Sequence, residues 1–317
     1  MTWRVRPFRE SDYSALARLR RTAERELVTP NDLRTADAGW DHARYERVRV
    51  VAVDEEDAAV GYGEIHHEPT RFAPRRYFVR LAVEPGRRRQ GIGTAIWSQL
   101  HAELEERSAL VACLWTDDGT AGREFIVHRG FVEVIRAYEQ VVALAAAPLP
   151  TPAMEELVAS KGIRIATLSE LRGSDGDDAL RKAHELHTAC RLDQPTLGRV
   201  TAAPLADWRA YNVDAPEALT DAYFVALADH AYVGNCSVRR RSDDTLRIGI
   251  TGVLPEYRRR GIGRVLKLRV HAWGRANGFR EIHTSTAGRN APMLALNASL
   301  GYATVASWGG YELGFTR

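Results

Sequence analysis

The chain has 317 residues, more than one typical core holds and right for two domains of about 150 residues each. Its composition, 45% hydrophobic and 27% charged, is that of a globular protein, and a formal net charge of only +3 argues against nucleic acid as a partner. No apolar run approaches the roughly 18 residues of a membrane span and "MTWRVRPFRE" lacks an apolar signal core, so no membrane association and a cytoplasmic location are expected.

The chain opens with a strand and a helix, "WRVRPFRESDYSALARLRRTA", with Ser11 or Asp12 at the helix start. A hairpin follows in "VRVVAVDEEDAAVGYGEIHH", where an acidic turn separates two apolar runs. The strand "RYFVRLAVEP" then leads into "PGRRRQGIG". Beyond it Ile92, Ala95, Ile96 and Leu100 mark one helical face. The strand "ALVACLWTDD", a helix, the pair Gly130-Phe131 and the strand "FVEVIRAYEQVVAL" complete the half.

The stretch from Ala145 to Pro152 is rich in Ala and Pro and reads as a linker. It divides the chain into residues 1–145 and 153–317, with 146–152 between, and the second part repeats the first. "IRIATLSELRG" gives a strand and a helix, "DAYFVALADHAYVGNCSVR" a hairpin, and "TLRIGITGVLP" the strand before "PEYRRRGIG". Ile262, Leu266, Val270 and Trp273 mark the next helical face. "REIHTST", a helix, Gly301-Tyr302 and "YATVASWGGYELGF" follow. Each half is therefore expected to be a mixed α/β domain.

A strand that runs through glycines into a helix makes an anion site, because the first helical N–H groups lack partners and the helix dipole adds positive potential. Arg88, Arg89, Arg258, Arg259 and Arg260 add attraction for a polyphosphate. Neither loop has the lysine of a nucleotide P-loop. Neither has the third glycine of a dinucleotide fingerprint, since Ile96 and Leu266 stand there.

The pattern V-x-P-x-x-R-x-x-G-I-G resembles the acetyl-CoA loop of the GNAT superfamily of N-acetyltransferases, in Arg88-Arg89-Gln90-Gly91-Ile92-Gly93 and again in Arg258-Arg259-Arg260-Gly261-Ile262-Gly263. The resemblance covers nearly the whole chain, and the layout is similar to tandem members such as mycothiol synthase. It implies two tandem GNAT-like domains, each a mixed, mostly antiparallel sheet flanked by helices. It also implies acetyl-CoA as cosubstrate, with its pyrophosphate on loop amides extending to Thr94 and Arg264. The pantetheine arm would lie along Leu81-Ala82-Val83 and Thr251-Gly252-Val253. The late helix of the family carries an Asn that contacts CoA and a Tyr that protonates the thiolate. Counting back from Gly301, those places hold Asn290 and Asn297; counting back from Gly130, they hold Gly119 and Ile126. Tyr302 replaces a family Phe and is open to core packing or a catalytic phenol.

Glu64 and His66 are two apart on a strand and share a face. They are candidates to relay a proton from an amine through water, or simply two polar residues on a solvated face. The matching second-half positions are Ser237 and Arg239. The cysteines, Cys113, Cys190 and Cys236, have no metal spacing and read as buried thiols, with no base adjacent to Cys236 in sequence. The expected activity is transfer of an acetyl group to a primary amine of a small molecule by a monomer or homodimer. A non-catalytic acyl-CoA-binding sensor or partner module is the alternative.

Overall fold

The structure, a computed structural model, describes residues 2–24, 28–117 and 121–315. In chain order the first half contains β1 (Trp3–Pro7), α1 (Tyr13–Glu24), α2 (Pro30–Ala38), β2 (Arg47–Asp54), β3 (Ala59–His66), β4 (Arg76–Val83), α3 (Ile92–Glu106), β5 (Val111–Asp117), α4 (Ala121–Val127) and β6 (Val132–Ala143). The second contains α5 (Pro152–Ala159), β7 (Ile163–Thr167), α6 (Leu168–Asp175), α7 (Asp177–Leu192), α8 (Leu205–Arg209), β8 (Phe224–Ala228), β9 (Ala231–Ser242), β10 (Thr245–Val253), α9 (Ile262–Ala276), β11 (Glu281–Ala287), α10 (Ala291–Ser299) and β12 (Ala303–Gly314). The helix anticipated at Ser11 or Asp12 begins as a 3-10 turn at Glu10 and becomes α1 at Tyr13.

The chain folds into two compact units, and they do not follow the linear halves. One unit comprises Met1–Trp115, Glu124–Glu133 and Gly310–Arg317; the other comprises Thr116–Arg123 and Val134–Gly309. Most of β6 thus belongs to the second unit, and the end of β12 to the first.

In the first unit β1 to β4 are antiparallel neighbours in sequence order, β5 runs parallel to β4, and β12 follows β5. The alternation along β2 sorts its side chains: Val50 and Ala52 join the core under α3, while Val51 and Val53 join the core under α1. Ile92, Ile96, Leu100 and Leu104 are the buried stripe of α3. A Cβ on Gly63 would lie 2.4 Å from Ile96, so glycine in β3 allows α3 this close approach.

In the second unit the strand order is β6-β11-β10-β9-β8-β7, with β10 and β11 parallel and the other pairs whose register is defined antiparallel. Val265, Leu266 and Val270 of α9 pack on Val233, Val238 and Ile282. On the other face Leu180, Ala183 and Leu186 of α7 pack on Val225, Leu227 and Ile250. The Ala/Pro stretch after β6 is fastened to α9: Arg275 donates to the Ala147 carbonyl at 2.6 Å, and His271 Nδ1 lies 3.0 Å from the Pro148 carbonyl. Both units are mixed α/β folds flanked by helices, as the sequence pattern predicts.

Candidate functional site

The parallel strand pairs open. The β4–β5 register runs from Arg76 opposite Val111 to Phe78 opposite Cys113 and stops there, although β4 continues to Val83. The β10–β11 register runs from Thr245 opposite Glu281 to Arg247 opposite His283, although β10 continues to Val253. The other edges of Leu81-Ala82-Val83 and Thr251-Gly252-Val253 are paired with β3 and β9. Each strand end therefore presents backbone donors and acceptors on one side, suited to an extended ligand that carries amides. In β10 a register shift between Ile248 and Ile250 leaves Gly249 outside the ladder.

The loops beside these openings have one conformation. Arg89 and Gly91 have φ of 64° and 83°; Arg259 and Gly261 have 60° and 85°. Glycine is needed at the helix N-cap, where a side chain would be strained. Arg88 Nε donates to the Val83 carbonyl at 3.2 Å, and Arg258 Nε to that of Val253 at 2.9 Å. Gly91 and Gly261 provide no side-chain cap, and neither first turn holds an acidic residue. The amides of Ile92, Gly93 and Thr94, and of Ile262 and Gly263, thus open each helix toward an anion, whereas the Arg264 N–H donates to the Gly261 carbonyl at 3.1 Å. Gln90 and Arg260 are held from outside the loop, since the Trp3 indole N–H donates to the Gln90 carbonyl at 3.2 Å and Lys161 to that of Arg260 at 3.3 Å.

Arg129 also stands at the first turn of α3. It donates to Thr94 Oγ1 at 2.9 Å and lies 3.4 Å from the centre of the Phe125 ring. In the second unit Arg264 reaches Ser299 at 3.0 Å instead. Sequence reasoning passed over Arg129, Trp3 and Lys161 because each comes to its loop from an element whose placement no local pattern encodes.

The late-helix residues separate. The Asn290 side chain caps α10, accepting from the Met293 N–H at 3.3 Å, and its amide nitrogen remains available to donate. Asn297 is wholly buried and donates to Gln140 Oε1 at 2.8 Å and Thr286 Oγ1 at 3.0 Å. Ile126 is in the core of the first unit, and Gly119 lies outside the described residues. Tyr302 is buried with its hydroxyl 3.1 Å from His271 Nε2, and burial raises the phenol pKa.

Glu64 and His66 do come together, with His66 Nδ1 3.0 Å from Glu64 Oε1, but not on a solvated face. Arg49 pairs with both Glu64 and Asp37. Arg47 reaches Asp37 at 2.8 Å, the Tyr13 hydroxyl donates to Asp37 at 2.6 Å, and Arg80 lies 4.0 Å from Glu64. Burial opposes ionisation of Glu64, yet His66, Arg49 and Arg80 outweigh it and hold the carboxyl well below the usual range. At the matching places in the second unit, Ser237 accepts from the Ile250 N–H at 3.0 Å, and Arg239 pairs with Glu217 and stacks on Tyr211. The cysteines are buried thiols. Burial pushes Cys113 and Cys190 up to about 11 and raises Cys236. Among the described residues no helix is long and apolar enough to cross a membrane.

A mixed sheet that opens between two parallel strands, beside a glycine-capped helix end, defines an α/β fold able to hold a phosphate-bearing carrier, and this chain carries the arrangement twice. The model of the Acetyltransferase (GNAT) family matches residues 13–131 and 183–302, and the chain belongs to that family of acyltransferases. Among solved structures, a GCN5-related N-acetyltransferase from Sphaerobacter thermophilus is similar at 18% identity and a TM-score of 0.70, over 98% of this chain and 95% of that one. A tandem GNAT protein from the clavulanic acid biosynthesis pathway is similar at 17% identity and a TM-score of 0.71, over 99% and 98%. A GCN5-related glucosamine N-acetyltransferase region of a fungal multi-domain β-N-acetylglucosaminidase is similar at 13% and 0.73, over 98% of this chain and 38% of that one. A search of the curated proteins finds no match.

Proposed function

We propose that the chain transfers the acetyl group of acetyl-CoA to a primary amine of a small molecule in the cytoplasm. The observation that carries this reading is the coincidence, in both units, of an unpaired strand edge and a glycine-capped helix end. The residues fit the cosubstrate: no Cβ obstructs Gly91 or Gly261, and no carboxylate stands in either first turn. Loop amides from Gly91 to Thr94 and from Gly261 to Gly263 take the pyrophosphate, with Arg264 adding its positive charge in the same turn. Arg88, Arg89, Gln90, Arg258, Arg259 and Arg260 shape the loops and supply attraction. Leu81-Ala82-Val83 and Thr251-Gly252-Val253 bond the pantetheine amides, and the Asn290 amide nitrogen is placed at the helix start to assist.

The reaction is direct attack. The amine nitrogen bonds to the thioester carbon, the C–S bond breaks, and a strand N–H polarises the carbonyl oxygen. Glu64 and His66 are the proton-accepting pair available in the first unit, and Tyr302 is the phenol available in the second. The repetition supports a duplicated domain, residues 1–145 and 153–317 joined by 146–152, acting as a monomer or homodimer.

The test is titration of acetyl-CoA into wild type, Gly91→Val and Gly261→Val by calorimetry. Two equivalents are expected for wild type and one for each variant. Unchanged stoichiometry in both variants overturns the phosphate-loop reading. Thiol release across an amine panel then separates an acetyltransferase from a binding module.

A further inference from the structure

The two units treat the sheet face opposite the loop helix differently. In the first, Asp37, Arg47, Arg49, Glu64 and His66 form a network of close ion contacts, in which Asp37 Oδ1 lies 2.8 Å from Arg47 and His66 Nδ1 3.0 Å from Glu64 without a well-formed hydrogen bond. In the second, the face under α7 gathers buried polar atoms that have no protein hydrogen-bond partner: His187 Nδ1, Trp208 Nε1, the Tyr223 hydroxyl and Asn235 Oδ1. Native proteins satisfy about nine in ten such groups, so several together call for an explanation.

They belong to one cluster. The rings of His187 and Trp208 are 6.1 Å apart, and those of Trp208 and Tyr223 are 6.5 Å apart. Asn235 donates its amide to Cys190 Sγ at 3.6 Å, and Cys190 is one helical turn beyond His187. Trp208 is 4% exposed, Tyr223 1% and Asn235 0%. The cluster abuts the open strand, because Asn235 is the register partner of Gly252 and a Cβ on Gly252 would lie 2.5 Å from Cys190.

We propose that this cluster is the head-group site for the acceptor of the second unit, and that it takes a hydroxyl-bearing primary amine in its uncharged form. The proposal rests on the acetyltransferase reading and names its substrate class. The chemistry follows from what each atom requires. Trp208 only donates, so the ligand must bring an acceptor. The Asn235 Oδ1 has no protein partner, so the ligand must bring a donor to it. Tyr223 serves either way. Burial pushes His187 down to about 3, so it is a neutral ring and also serves either way. A carboxylate would set its lone pairs against Asn235, and a quaternary ammonium has no N–H to give. A hydroxyl and an amine together meet every requirement.

The cluster has no carboxylate to pair with an ammonium. The charged groups around it are largely paired: Arg258 with Asp193 beside Cys190, and Arg209 with Asp177 and Asp214 next to Trp208, while Arg191 acts on His187 and Asp175 and Asp178 on Tyr232. Desolvation favours the free amine, which is the nucleophile, so burial itself does what a dedicated base would do. As the N–C bond forms and the C–S bond breaks, the proton given up by nitrogen leaves on sulfur as the CoA thiol, and the balance closes without another reactant.

The test uses the full chain saturated with acetyl-CoA and 2-aminoethanol as probe, with ethylamine and glycine as controls. Thiol release is expected to favour 2-aminoethanol. Tyr223→Phe and, separately, Trp208→Phe are expected to raise its KM about three- to tenfold, the worth of one neutral hydrogen bond, with acetyl-CoA affinity unchanged. Without acceptor, Tyr223→Phe is expected to melt no lower than wild type, because it deletes a hydroxyl that lacks a protein partner. A lower melting temperature for that variant, unchanged KM values in both variants, or equal use of glycine overturns the proposal. If no amine releases thiol while acetyl-CoA binds, the acetyltransferase reading fails. The head-group site is then read by thermal shift alone: 2-aminoethanol must raise the melting temperature of wild type and not of Tyr223→Phe, and no shift overturns it.

Discussion

The Lys267 ammonium nitrogen lies 4.6 Å from the centre of the Tyr302 ring, inside the core of the second unit and without a protein hydrogen-bond partner. The corresponding places in the first unit are Trp97 and Phe131, an edge-to-face pair with ring centres 5.4 Å apart. Burial pushes Lys267 down to about 8, from 10.5 in the unfolded chain. Below pH 8 the lysine is charged in both states, and the folded state bears the full cost of a buried charge. Between pH 8 and about 10.5 the folded state releases the proton and the unfolded state keeps it, so this group favours folding increasingly as pH rises. Lys267→Met should therefore gain up to about 3 kcal/mol at pH 7 and progressively less toward pH 10. Urea unfolding of both proteins at pH 7 and pH 9.5 checks it. A variant no more stable than wild type at pH 7 would mean that the charge is compensated.

Glu64 gives the opposite sign. Its folded pKa is depressed, so its contribution is complete above the unfolded value of about 4.5 and is lost as pH falls below that toward the folded value. Glu64→Gln leaves Arg49 facing a neutral group in a buried network, which should cost about 3 kcal/mol at pH 7. Acid unfolding of the variant should show a shallower loss of stability than wild type below pH 4.5. Lost thiol release with unchanged stability would instead assign Glu64 to the proton-accepting pair and not to the scaffold.

What the sequence disclosed depended on whether the cause was local. Gly91 and Gly261 were legible because a left-handed helix cap selects glycine wherever the chain goes next. The hairpin of β2 and β3 was legible because an acidic turn separates two apolar runs, but the apolar run Val50-Val51-Ala52-Val53 does not itself say which core each side chain joins. Glu64 and His66 were legible as neighbours on one face, but not as buried, because Arg49 and Asp37 come from other elements. The partner of Asn297 is Gln140, 157 positions away, and no spacing rule connects them. Trp208 and Tyr223 carry no sequence motif, and only the fold buries the Trp208 indole N–H and the Tyr223 hydroxyl without protein partners. The sheet that a terminal strand joins is likewise a choice made by the whole fold.

Asn297 sits where the family pattern has its phenol, yet its amide is spent on Gln140 and Thr286. Asn297→Ala leaves both acceptors buried and unmatched, at a cost of about 1–3 kcal/mol. The expected result is a lower melting temperature with the acetyl-CoA affinity of the second unit unchanged, measured in a Gly91→Val background so that only that loop reports. A fall in affinity without a fall in stability would make Asn297 a cofactor ligand.

The last residues of the chain should stabilise the unit built mainly from its beginning. Tyr311 is 1% exposed in the core of the first unit and donates to Glu133 at 3.1 Å. Glu312 holds Arg76 of β4 at 2.6 Å, and the Phe315 N–H donates to the Leu110 carbonyl at 3.0 Å. Deleting residues 310–317 removes a buried aromatic, for which about 3–5 kcal/mol is typical, and uncovers the outer edge of β5. Hydrogen exchange should then accelerate in β3, β4 and β5, while β9 and β10 keep their protection. Tyr311→Ala should reproduce most of the effect with the backbone intact. If the deletion instead loosens β9 and β10 and spares β4, the terminal segment does not belong to the first unit.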